Sequence, residues 1–411
     1  MKIAFITLGC KLNYAETSTY ERGFKAAGLE AVPWKEGADV FLVNTCTVTE
    51  TANKKSRGEI RKLHRINPSA PIIVTGCYAQ MKSAEVAGIE GVARVFLSDE
   101  KDKVVPETLK LLGIVKTVPT SVSGAYSSGE RTRSFLKVQD GCDNFCRYCT
   151  VPYARGRSRN IPICEAVKHA GEIAALGIRE IVLTGVNTGD FGRSTGESFL
   201  DLLKALDGVE GIDRYRISSI EPNLLTEEII DWIASGTKFQ PHFHIPLQTG
   251  SDELLAKMGR HYDTAFFAGK LDYVRKAMER PGGPKVFFGI DVMVGLPGES
   301  EALFGQTYSF LQQIRPAFIH VFPYSRRPGT PAASMSGQVS ESVKKERVAA
   351  LEELCAGLHA EFVESNRGVK EKVLFESSNR QGFMEGYTGN YIRIRRPWEA
   401  SLCGKIVDVT I

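Results

Sequence analysis

The sequence predicts an α/β protein in three parts, and three observations support this fold class. Apolar runs alternate with helix-compatible segments over the first 120 residues, which indicates an open, mostly parallel sheet covered by helices. Six further strand–helix alternations run from Ser134 to Phe322 and predict an incomplete (βα)6 barrel. After Val369 the runs become short, alternating and punctuated by glycine, which predicts a small antiparallel barrel. We therefore expect domains over residues 1–120, 130–366 and 367–411.

The composition restricts where the protein works and which partners it has. Hydrophobic residues make up 43% of the chain and charged residues 24%, as in ordinary globular proteins. The net charge of +4 is mild, so an argument for nucleic-acid binding has to come from local patches. The first apolar run is shorter than a signal-peptide core, and no other run approaches transmembrane length. We expect a cytoplasmic protein without membrane association, whose reduced, clustered cysteines indicate metal chemistry.

Three cysteines of the N-terminal region follow three predicted strands. Cys10, Cys46 and Cys77 each lie two or three residues beyond an apolar run. Because the carboxyl ends of parallel strands meet at one edge of a sheet, these thiols are expected to come together. The alternative is unrelated small cysteines buried in a core. Three ligands predict an iron–sulfur cube with one open iron. The strands predicted here are Ile3–Leu8, Val40–Val43, Ile72–Val74 and Val92–Leu97.

A second trio lies on one loop, DGCDNFCRYC, with the spacing Cys-x3-Cys-x2-Cys. Cys142, Cys146 and Cys149 can hold three corners of a [4Fe–4S] cube and leave the fourth iron without a protein ligand. A zinc site would need a fourth ligand, for which Cys164 or His169 is available. A disulfide is disfavoured by the odd count of nine cysteines in a chain without secretory features. The remaining cysteines are assigned to packing: Cys164, Cys355 and Cys403.

The middle region places small, polar and acidic residues after its strands, where barrel enzymes carry their chemistry. Ordinary turn chemistry is the alternative explanation for any one of these loops. The segment SVSGAYSSG, residues 121–129, is expected to be an exposed connection before this region. The predicted strands are Phe135–Gln139, Glu180–Thr184, Tyr215–Ser218, His242–Pro246, Val286–Val294 and Phe318–Phe322. The candidate cofactor contacts on the loops are Gly185, Asn187, Glu221 and Gln248.

Two groups of basic residues are candidates for binding RNA. Five arginines follow the cysteine loop or the last barrel strand, where guanidinium groups could bind phosphates or an acidic substituent. In the C-terminal segment, alternation places one tyrosine and two arginines on one strand face, which suits stacking and phosphate contact. A solvated basic face and a purely structural barrel are the alternatives. The residues are Arg155, Arg157, Arg159, Arg326 and Arg327, and Tyr391, Arg393 and Arg395.

Taken together, these motifs resemble a known family. The loop around Cys142–Cys149, with Tyr148 before its last cysteine, resembles the signature loop of the radical S-adenosylmethionine (SAM) enzymes. TLGCKLNYAET, FLVNTCTVTETANKKSR and IIVTGCYAQ resemble the methylthiotransferases within that group, and GCKLNYAET looks most like the branch acting on N6-threonylcarbamoyladenosine in tRNA. The resemblance implies a radical SAM barrel and a C-terminal TRAM-like RNA-binding module. It also implies that Tyr148 contacts the cofactor and that TGVN stands where many radical enzymes carry Gly-Gly-Glu.

The resemblance also implies an activity and its cofactors. These are two [4Fe–4S] clusters and SAM, used to convert N6-threonylcarbamoyladenosine at position 37 of tRNA to its 2-methylthio derivative. The radical cluster reduces SAM, and the cluster at Cys10, Cys46 and Cys77 carries or donates the sulfur. We expect a monomer that takes electrons from a donor such as flavodoxin or ferredoxin. Alternatives are a methylthiotransferase for isopentenyladenosine in tRNA or for a ribosomal-protein aspartate, and a non-catalytic iron–sulfur protein that binds RNA or transfers electrons.

Overall fold

The computed structural model describes residues 1–118, 120–129 and 132–411. The first part is a five-stranded parallel sheet of order β2-β1-β3-β4-β5, so the predicted N-terminal parallel sheet is confirmed. Its central strand β3 is buried at all six positions, as expected for a parallel strand covered by helices on both faces. The strands are β1 (Lys2–Thr7), β2 (Glu30–Ala31), β3 (Val40–Thr45), β4 (Ile72–Gly76) and β5 (Val92–Val95). The helices are α1 (Lys11–Ala26), α2 (Glu50–Ile66), α3 (Cys77–Met81), α4 (Ser83–Ala87) and α5 (Val104–Leu111).

The segment 121–129 differs from the exposed connection that its composition predicts. Val122, Ala125 and Ser127 are buried, and Tyr126 forms an antiparallel bridge with Leu136. The Ser127 amide donates to the carbonyl of Phe135 (3.0 Å), so the segment pairs with the first strand of the middle region. Small polar residues are therefore used here for close packing between the two regions. The predicted boundary at residue 130 lies outside the described residues.

The middle region contains the six predicted parallel strands in sequence order. They form two three-stranded sheets, β10-β9-β6 and β11-β12-β13. Isolated parallel bridges, such as that between Ser219 and His244, connect the two sheets. Closure into an incomplete barrel stays a prediction. The strands are β6 (Arg133–Lys137), β7 (Gln139–Asp140), β8 (Arg159–Asn160), β9 (Glu180–Thr184), β10 (Arg214–Ile217), β11 (His242–Gln248), β12 (Phe287–Val294) and β13 (Phe318–Pro323). The helices are α6 (Val151–Arg155), α7 (Ile163–Ala175), α8 (Phe199–Asp207), α9 (Glu227–Ala234), α10 (Asp252–Met258), α11 (Thr264–Met278), α12 (Glu301–Ile314), α13 (Pro331–Ser334) and α14 (Glu341–Glu364).

The strands of the middle region have two different faces. On β11, Phe243, Ile245 and Leu247 are buried in the main hydrophobic core, where residues of the surrounding helices also pack. His242 and His244 alternate with them and are only partly buried. We call the surface that carries His244, Asp291 and His320 the inner face of the strand array.

The C-terminal part is a four-stranded antiparallel sheet of order β16-β15-β14-β17. It is attached to the middle region through two arginines of β10. Arg214 donates to the carbonyls of Lys372 and Tyr387, and Arg216 donates to those of Thr388 and Gly389. Among the described residues we find no helix with the length and apolarity to span a bilayer. The strands are β14 (Lys370–Phe375), β15 (Phe383–Thr388), β16 (Arg393–Pro397) and β17 (Ile406–Thr410).

Candidate functional site

Cys10, Cys46 and Cys77 come together at the ends of three strands that are neighbours in the N-terminal sheet. Cys10 follows β1, Cys46 follows β3 and Cys77 follows β4 as the first residue of α3. The strand ends can lie this close together because a glycine precedes Cys10 and another precedes Cys77. A Cβ on Gly9 would lie 2.9 Å from Cβ of Cys46, and a Cβ on Gly76 would lie 2.4 Å from a backbone oxygen of Thr45. Both glycines have positive φ, near 100°, which other residues rarely adopt.

The buried Asn13 side chain fixes the loops that carry two of these thiols. Its Nδ2 donates to the carbonyls of Leu8 (2.8 Å) and Thr45 (3.0 Å), on either side of the trio. Burial, together with the neighbouring thiols Cys77 and Cys10, raises the pKa of Cys46 to about 11. A metal must therefore displace the proton, as is usual for buried cysteine ligands.

The second trio lies on the loop between β7 and α6. Backbone amides of Asn144 and Val151 donate to Sγ of Cys142 (3.5 Å) and of Cys149 (3.4 Å). Burial raises the pKa of Cys142 to about 11 and that of Cys149 to about 12. N–H donors aimed at sulfur are a feature by which proteins tune iron–sulfur ligands. The donor set therefore fits an iron–sulfur cluster.

Sequence reasoning missed Arg260, a buried arginine beside the second trio. Its guanidinium donates to Sγ of Cys146 (3.1 Å) and forms an ion pair with Glu221. It also contacts the hydroxyl groups of Tyr148 (3.4 Å) and Tyr262 (2.8 Å). Arg260 stands 114 positions from Cys146, and a lone arginine after a helix gives no sequence signal of such a contact.

The predicted cofactor residues are mostly linked to this network. Tyr148 and Glu221 contact Arg260 directly, and Asn187 Oδ1 accepts from the Glu221 amide (3.3 Å). Gln139, another residue that sequence reasoning missed, holds the TGVN loop by accepting from the amides of residues 186 (2.9 Å) and 187 (3.0 Å). A Cβ on Gly185 would lie 2.8 Å from that Gln139 oxygen.

Gln248 is connected to the same region less directly. It ends β11 at an irregularity in the strand pairing, with a φ of 75°. The hydroxyl of Tyr262, which contacts Arg260, donates to the carbonyl of Leu247 (3.2 Å), the residue before Gln248. A positive φ at a residue other than glycine is a strained backbone conformation of the kind that is often found at functional sites.

The two cysteine trios occupy adjoining elements. Helix α6 follows Cys149 directly and contacts α3, which begins with Cys77. Between them lies a buried charge network centred on Glu16 of α1. Glu16 Oε1 lies 2.8 Å from Nζ of Lys101, 2.9 Å from Nζ of Lys137 and 3.3 Å from Arg155. The network ties the N-terminal sheet to the loop of the second trio.

Two arginines predicted to face RNA are buried instead. Arg155 forms ion pairs with Glu16 and Asp140 (2.9 Å). Burial alone would lower the pKa of Arg155, but Cys77 and these two carboxylates raise it above its usual value. Arg327 donates to the hydroxyl of Thr47 (2.8 Å), next to Cys46. The prediction that these two arginines bind RNA is wrong, because both are buried and each donates to an acceptor between the two regions.

The other predicted RNA residues divide into exposed and enclosed groups. Tyr391 does not share a face with the two arginines of its segment, because it precedes β16 and has a φ of 65°. Its ring packs against His242 (4.8 Å between centroids) and lies below the guanidinium of Arg216 (4.8 Å). The prediction that it lies on an RNA-facing surface is therefore wrong. The exposed or partly exposed arginines are Arg157, Arg159, Arg326, Arg393 and Arg395.

The inner face carries a polar cluster that sequence reasoning did not identify. His244 Nε2 lies 2.8 Å from Asp291 Oδ1, and the ring of His244 stacks on that of His320, with centroids 5.0 Å apart. Burial and the neighbouring His244 lower the pKa of His320. Each residue comes from a different strand, so only the array places them together. Strand alternation could have indicated that they point inward.

The remaining cysteines differ in environment. Cys355 is buried and its sulfur accepts from the Ile319 amide (3.2 Å), so packing explains it. Cys403 is partly buried. Cys164 is exposed, so its assignment to packing is wrong. It lies at the start of α7, outside both trios.

Comparison with known proteins matches two families to consecutive parts of the chain. "Uncharacterized protein family UPF0004" matches residues 2–98, and "Radical SAM superfamily" matches residues 136–311. The second match implies SAM and a [4Fe–4S] cluster. Among solved structures, the radical S-adenosylmethionine methyltransferase TsrM from Kitasatospora setae has a TM-score of 0.60 at 14% identity, covering 81% of this chain and 77% of that one. This likeness confirms the fold of the radical region.

Relatives of known activity match the whole chain. The threonylcarbamoyladenosine tRNA methylthiotransferase MtaB of Bacillus subtilis is 40% identical, over 100% of this chain and 93% of that protein. The protein of the same name from Aquifex aeolicus is 36% identical over the full length of both. The tRNA-2-methylthio-N(6)-dimethylallyladenosine synthase of Carboxydothermus hydrogenoformans is 31% identical, over 99% of this chain and 95% of that protein. The chain belongs to the radical SAM methylthiotransferases, enzymes that transfer sulfur-containing groups.

Proposed function

We propose that this protein methylthiolates N6-threonylcarbamoyladenosine at position 37 of tRNA, using two [4Fe–4S] clusters and SAM. The observation that carries the proposal is the placement of two cysteine trios in adjoining elements, joined by one buried charge network. The names of the relatives with 35–40% identity support the choice of substrate. Two sites with three thiols each leave one iron of each cluster free for a small molecule or sulfur.

The two trios have different roles in this proposal. Cys142, Cys146 and Cys149 hold the cluster that, with SAM bound, supplies radical chemistry. Cys10, Cys46 and Cys77 hold the cluster that supplies sulfur. The protein positions the substrate between them and excludes water, which is the usual contribution of a protein to cofactor chemistry.

Further residues are assigned to binding. For SAM we propose contacts at the ends of β7, β9, β10 and β11 or in the loops that follow them, through Tyr148, Gly185, Asn187, Glu221 and Gln248. For tRNA we propose the exposed guanidinium groups, since phosphate binding needs accessible cations. These are Arg157, Arg159, Arg326, Arg393 and Arg395.

The same proposal covers the organisation of the chain and its partners. We propose units over residues 1–120, 130–366 and 367–411, with the middle one an incomplete barrel and the last a TRAM-like module. A monomer that receives electrons from a flavodoxin or ferredoxin completes the proposal.

Anaerobic reconstitution tests the two-cluster arrangement. About eight irons per chain are expected if both cubes form, and about four in Cys10→Ala or Cys142→Ala. Only Cys142→Ala should also abolish formation of 5′-deoxyadenosine from SAM and dithionite. Cys164→Ala is the matched control, because this exposed thiol belongs to neither trio. About four irons in the wild type, or unchanged iron in Cys10→Ala, would contradict two clusters.

Nucleoside mass spectrometry tests the substrate. Reconstituted enzyme is incubated with tRNA carrying N6-threonylcarbamoyladenosine, isopentenyladenosine or unmodified adenosine at position 37. We expect the 2-methylthio product only from the first. The relative from Carboxydothermus hydrogenoformans keeps isopentenyladenosine as the second candidate, and product from that tRNA alone would replace our proposal. Loaded clusters without any product would favour a non-catalytic iron–sulfur protein.

A further inference from the structure

Two exposed aromatic rings lie beside the cysteines of the second trio. Phe145 directly precedes Cys146, and Tyr153 lies on α6, four residues after Cys149. Phe145 is 40% exposed and Tyr153 is 48% exposed, although the two rings contact each other with centroids 5.9 Å apart and planes at 84°. Exposed apolar groups that cluster next to a site indicate a binding surface.

Phe145 is held in this exposed position by its backbone and by a neighbouring cation. Its φ of 45° lies in the left-handed region, which residues other than glycine rarely adopt and which recurs at ligand sites. The guanidinium carbon of Arg157 lies 4.9 Å from the centroid of the ring. Arg157 is itself held by an ion pair with Asp143 at 3.4 Å, and Asp143 also pairs with Arg193 at 3.2 Å. The two rings therefore form a supported surface.

Tyr153 forms one side of an open hollow of about 680 Å³, which we call the α6 hollow. Residues of the segment 326–334 form the other sides, among them Arg326, Pro328 and Pro331. The volume lies within the range of about 300–1,000 Å³ that is usual for small-molecule sites, so a nucleotide fits. In the part of the chain that the structure describes, Arg326 forms no ion pair, and its Nε donates to the carbonyl of Ala333 (2.6 Å). Its charge is available to a phosphate.

The segment that forms the α6 hollow contacts both cysteine trios. The amide of Ala332 donates to the carbonyl of Arg147 (2.9 Å), in the loop of the second trio. Arg327 of the same segment donates to the hydroxyl of Thr47 (2.8 Å), next to Cys46 of the N-terminal trio. When a base of an RNA lies between the trios, the nucleotides adjacent to it are those that can reach the α6 hollow.

We infer that Tyr153 stacks on an unpaired base adjacent to position 37 of the tRNA, in the α6 hollow. The inference rests on the proposed function, which places base 37 between the two trios. Proteins recognise single-stranded RNA by stacking its bases on aromatic rings and guanidinium planes, with cations near the phosphates. The order of contacts from Arg157 through Phe145 and Tyr153 to Arg326 alternates cations with rings in this way.

A protein electron donor is a different occupant for the same surface. A specific protein–protein interface buries about 800 Å² on each partner and therefore needs a broad complementary surface. Tyr153 instead presents one ring beside a concave space of nucleotide size. The geometry therefore favours a base over a protein partner.

Binding of matched RNAs tests the inference. Anaerobically reconstituted protein is titrated into fluorescently labelled anticodon stem-loops that carry N6-threonylcarbamoyladenosine at position 37, and anisotropy gives the Kd. One RNA is complete, and two others lack the base at position 36 or at position 38. We expect Tyr153→Leu to raise the Kd for the complete RNA about 5- to 150-fold, as for the loss of one base–aromatic stack.

The two RNAs that lack a base identify the stacked nucleotide. Removing the base that Tyr153 contacts should raise the Kd of the wild type by a similar factor. Tyr153→Leu should show little further loss on that RNA, because the stack is already absent. Tyr153→Phe should recover most of the affinity, because the ring is retained.

Controls separate stacking from damage to the neighbouring cluster. Tyr153→Leu must keep the iron content and visible spectrum of the wild type. Phe266→Leu removes a ring of similar exposure, 44%, on α11, and it should bind all three RNAs as the wild type does.

Three results would overturn the inference. One is an unchanged Kd of Tyr153→Leu for the complete RNA; a raised KM for reduced flavodoxin would then assign the surface to the electron donor. Another is an equal loss by Tyr153→Leu on all three RNAs. The third needs no variant: wild-type protein that binds both RNAs lacking a base as tightly as the complete RNA. The proposed function fails separately if the wild type forms no 2-methylthio product from the complete RNA.

Discussion

Removing the carboxylate of Glu16 should destabilise the contact between the N-terminal sheet and the loop of the second trio. Glu16 is fully buried and forms ion pairs with Lys101, Lys137 and Arg155. Lys137 and Arg155 also form ion pairs with Asp140, at 2.7 Å and 2.9 Å. Lys101 has no second carboxylate partner among the described residues, so Glu16→Gln leaves one buried ammonium uncompensated.

The size of the effect follows from that unpaired charge. Breaking a buried ion pair by removing one partner costs about 3–5 kcal/mol. We expect Glu16→Gln to lower the free energy of unfolding by this amount, measured by urea denaturation of reconstituted protein followed by far-UV circular dichroism. The double variant Glu16→Gln/Lys101→Met should recover part of the loss, because it removes the unpaired charge as well.

A surface pair provides the control for this experiment. Glu21 and Lys25 form an exposed ion pair on the same helix, and such pairs contribute about 0–1 kcal/mol. Glu21→Gln should therefore have little effect. If Glu16→Gln also stays within about 1 kcal/mol of the wild type, the network does not hold the two regions together as we describe.

Three further predictions address the second trio, the C-terminal sheet and acid. Arg260→Gln should lower the yield of 5′-deoxyadenosine at least about tenfold at unchanged iron content, because a donor to a cluster sulfur is lost; an unchanged yield would contradict this role. Tyr391→Ala should lower the free energy of unfolding by about 1–3 kcal/mol, because its half-buried ring packs against His242 and Arg216, whereas the exposed Arg393→Ala should change it by less than about 0.5 kcal/mol; equal effects would contradict this packing role. Burial alone would raise the pKa of Glu180, but the neighbouring guanidinium groups hold it below its usual value, so its contribution to stability should be present at neutral pH and lost as the pH falls below about 4.5. Urea titrations of Glu180→Gln between pH 3 and 7 should show a weaker dependence on pH than the wild type, and identical curves would refute this.

Several parts of the fold were predictable because their signals are local. The strand Glu180–Thr184 was predicted at its observed bounds, and the other five strands of the middle region within one or two residues, since continuous apolar runs mark buried parallel strands. The short strand β2 carries too little apolar sequence to be recognised.

The errors concern residues whose environment depends on distant partners. Arg155 and Arg327 read as surface cations because the sequence does not show that Glu16 and Thr47 will meet them. Tyr391 reads as part of an alternating strand, but its left-handed φ turns it toward β11. Long polar side chains are assigned to the surface by default, and only the partner that compensates their burial reverses this.

The sequence by itself determined the α/β class, the two cysteine trios and the family, because strand periodicity and cysteine spacing are written in contiguous residues. Only the tertiary structure decided which charges are buried between the two trios, that Arg260 reaches Cys146, and that His244, Asp291 and His320 come together from three strands. These contacts join residues that lie as far as 139 positions apart in the sequence. Their existence depends on how strands and helices pack, a global property that no local pattern encodes.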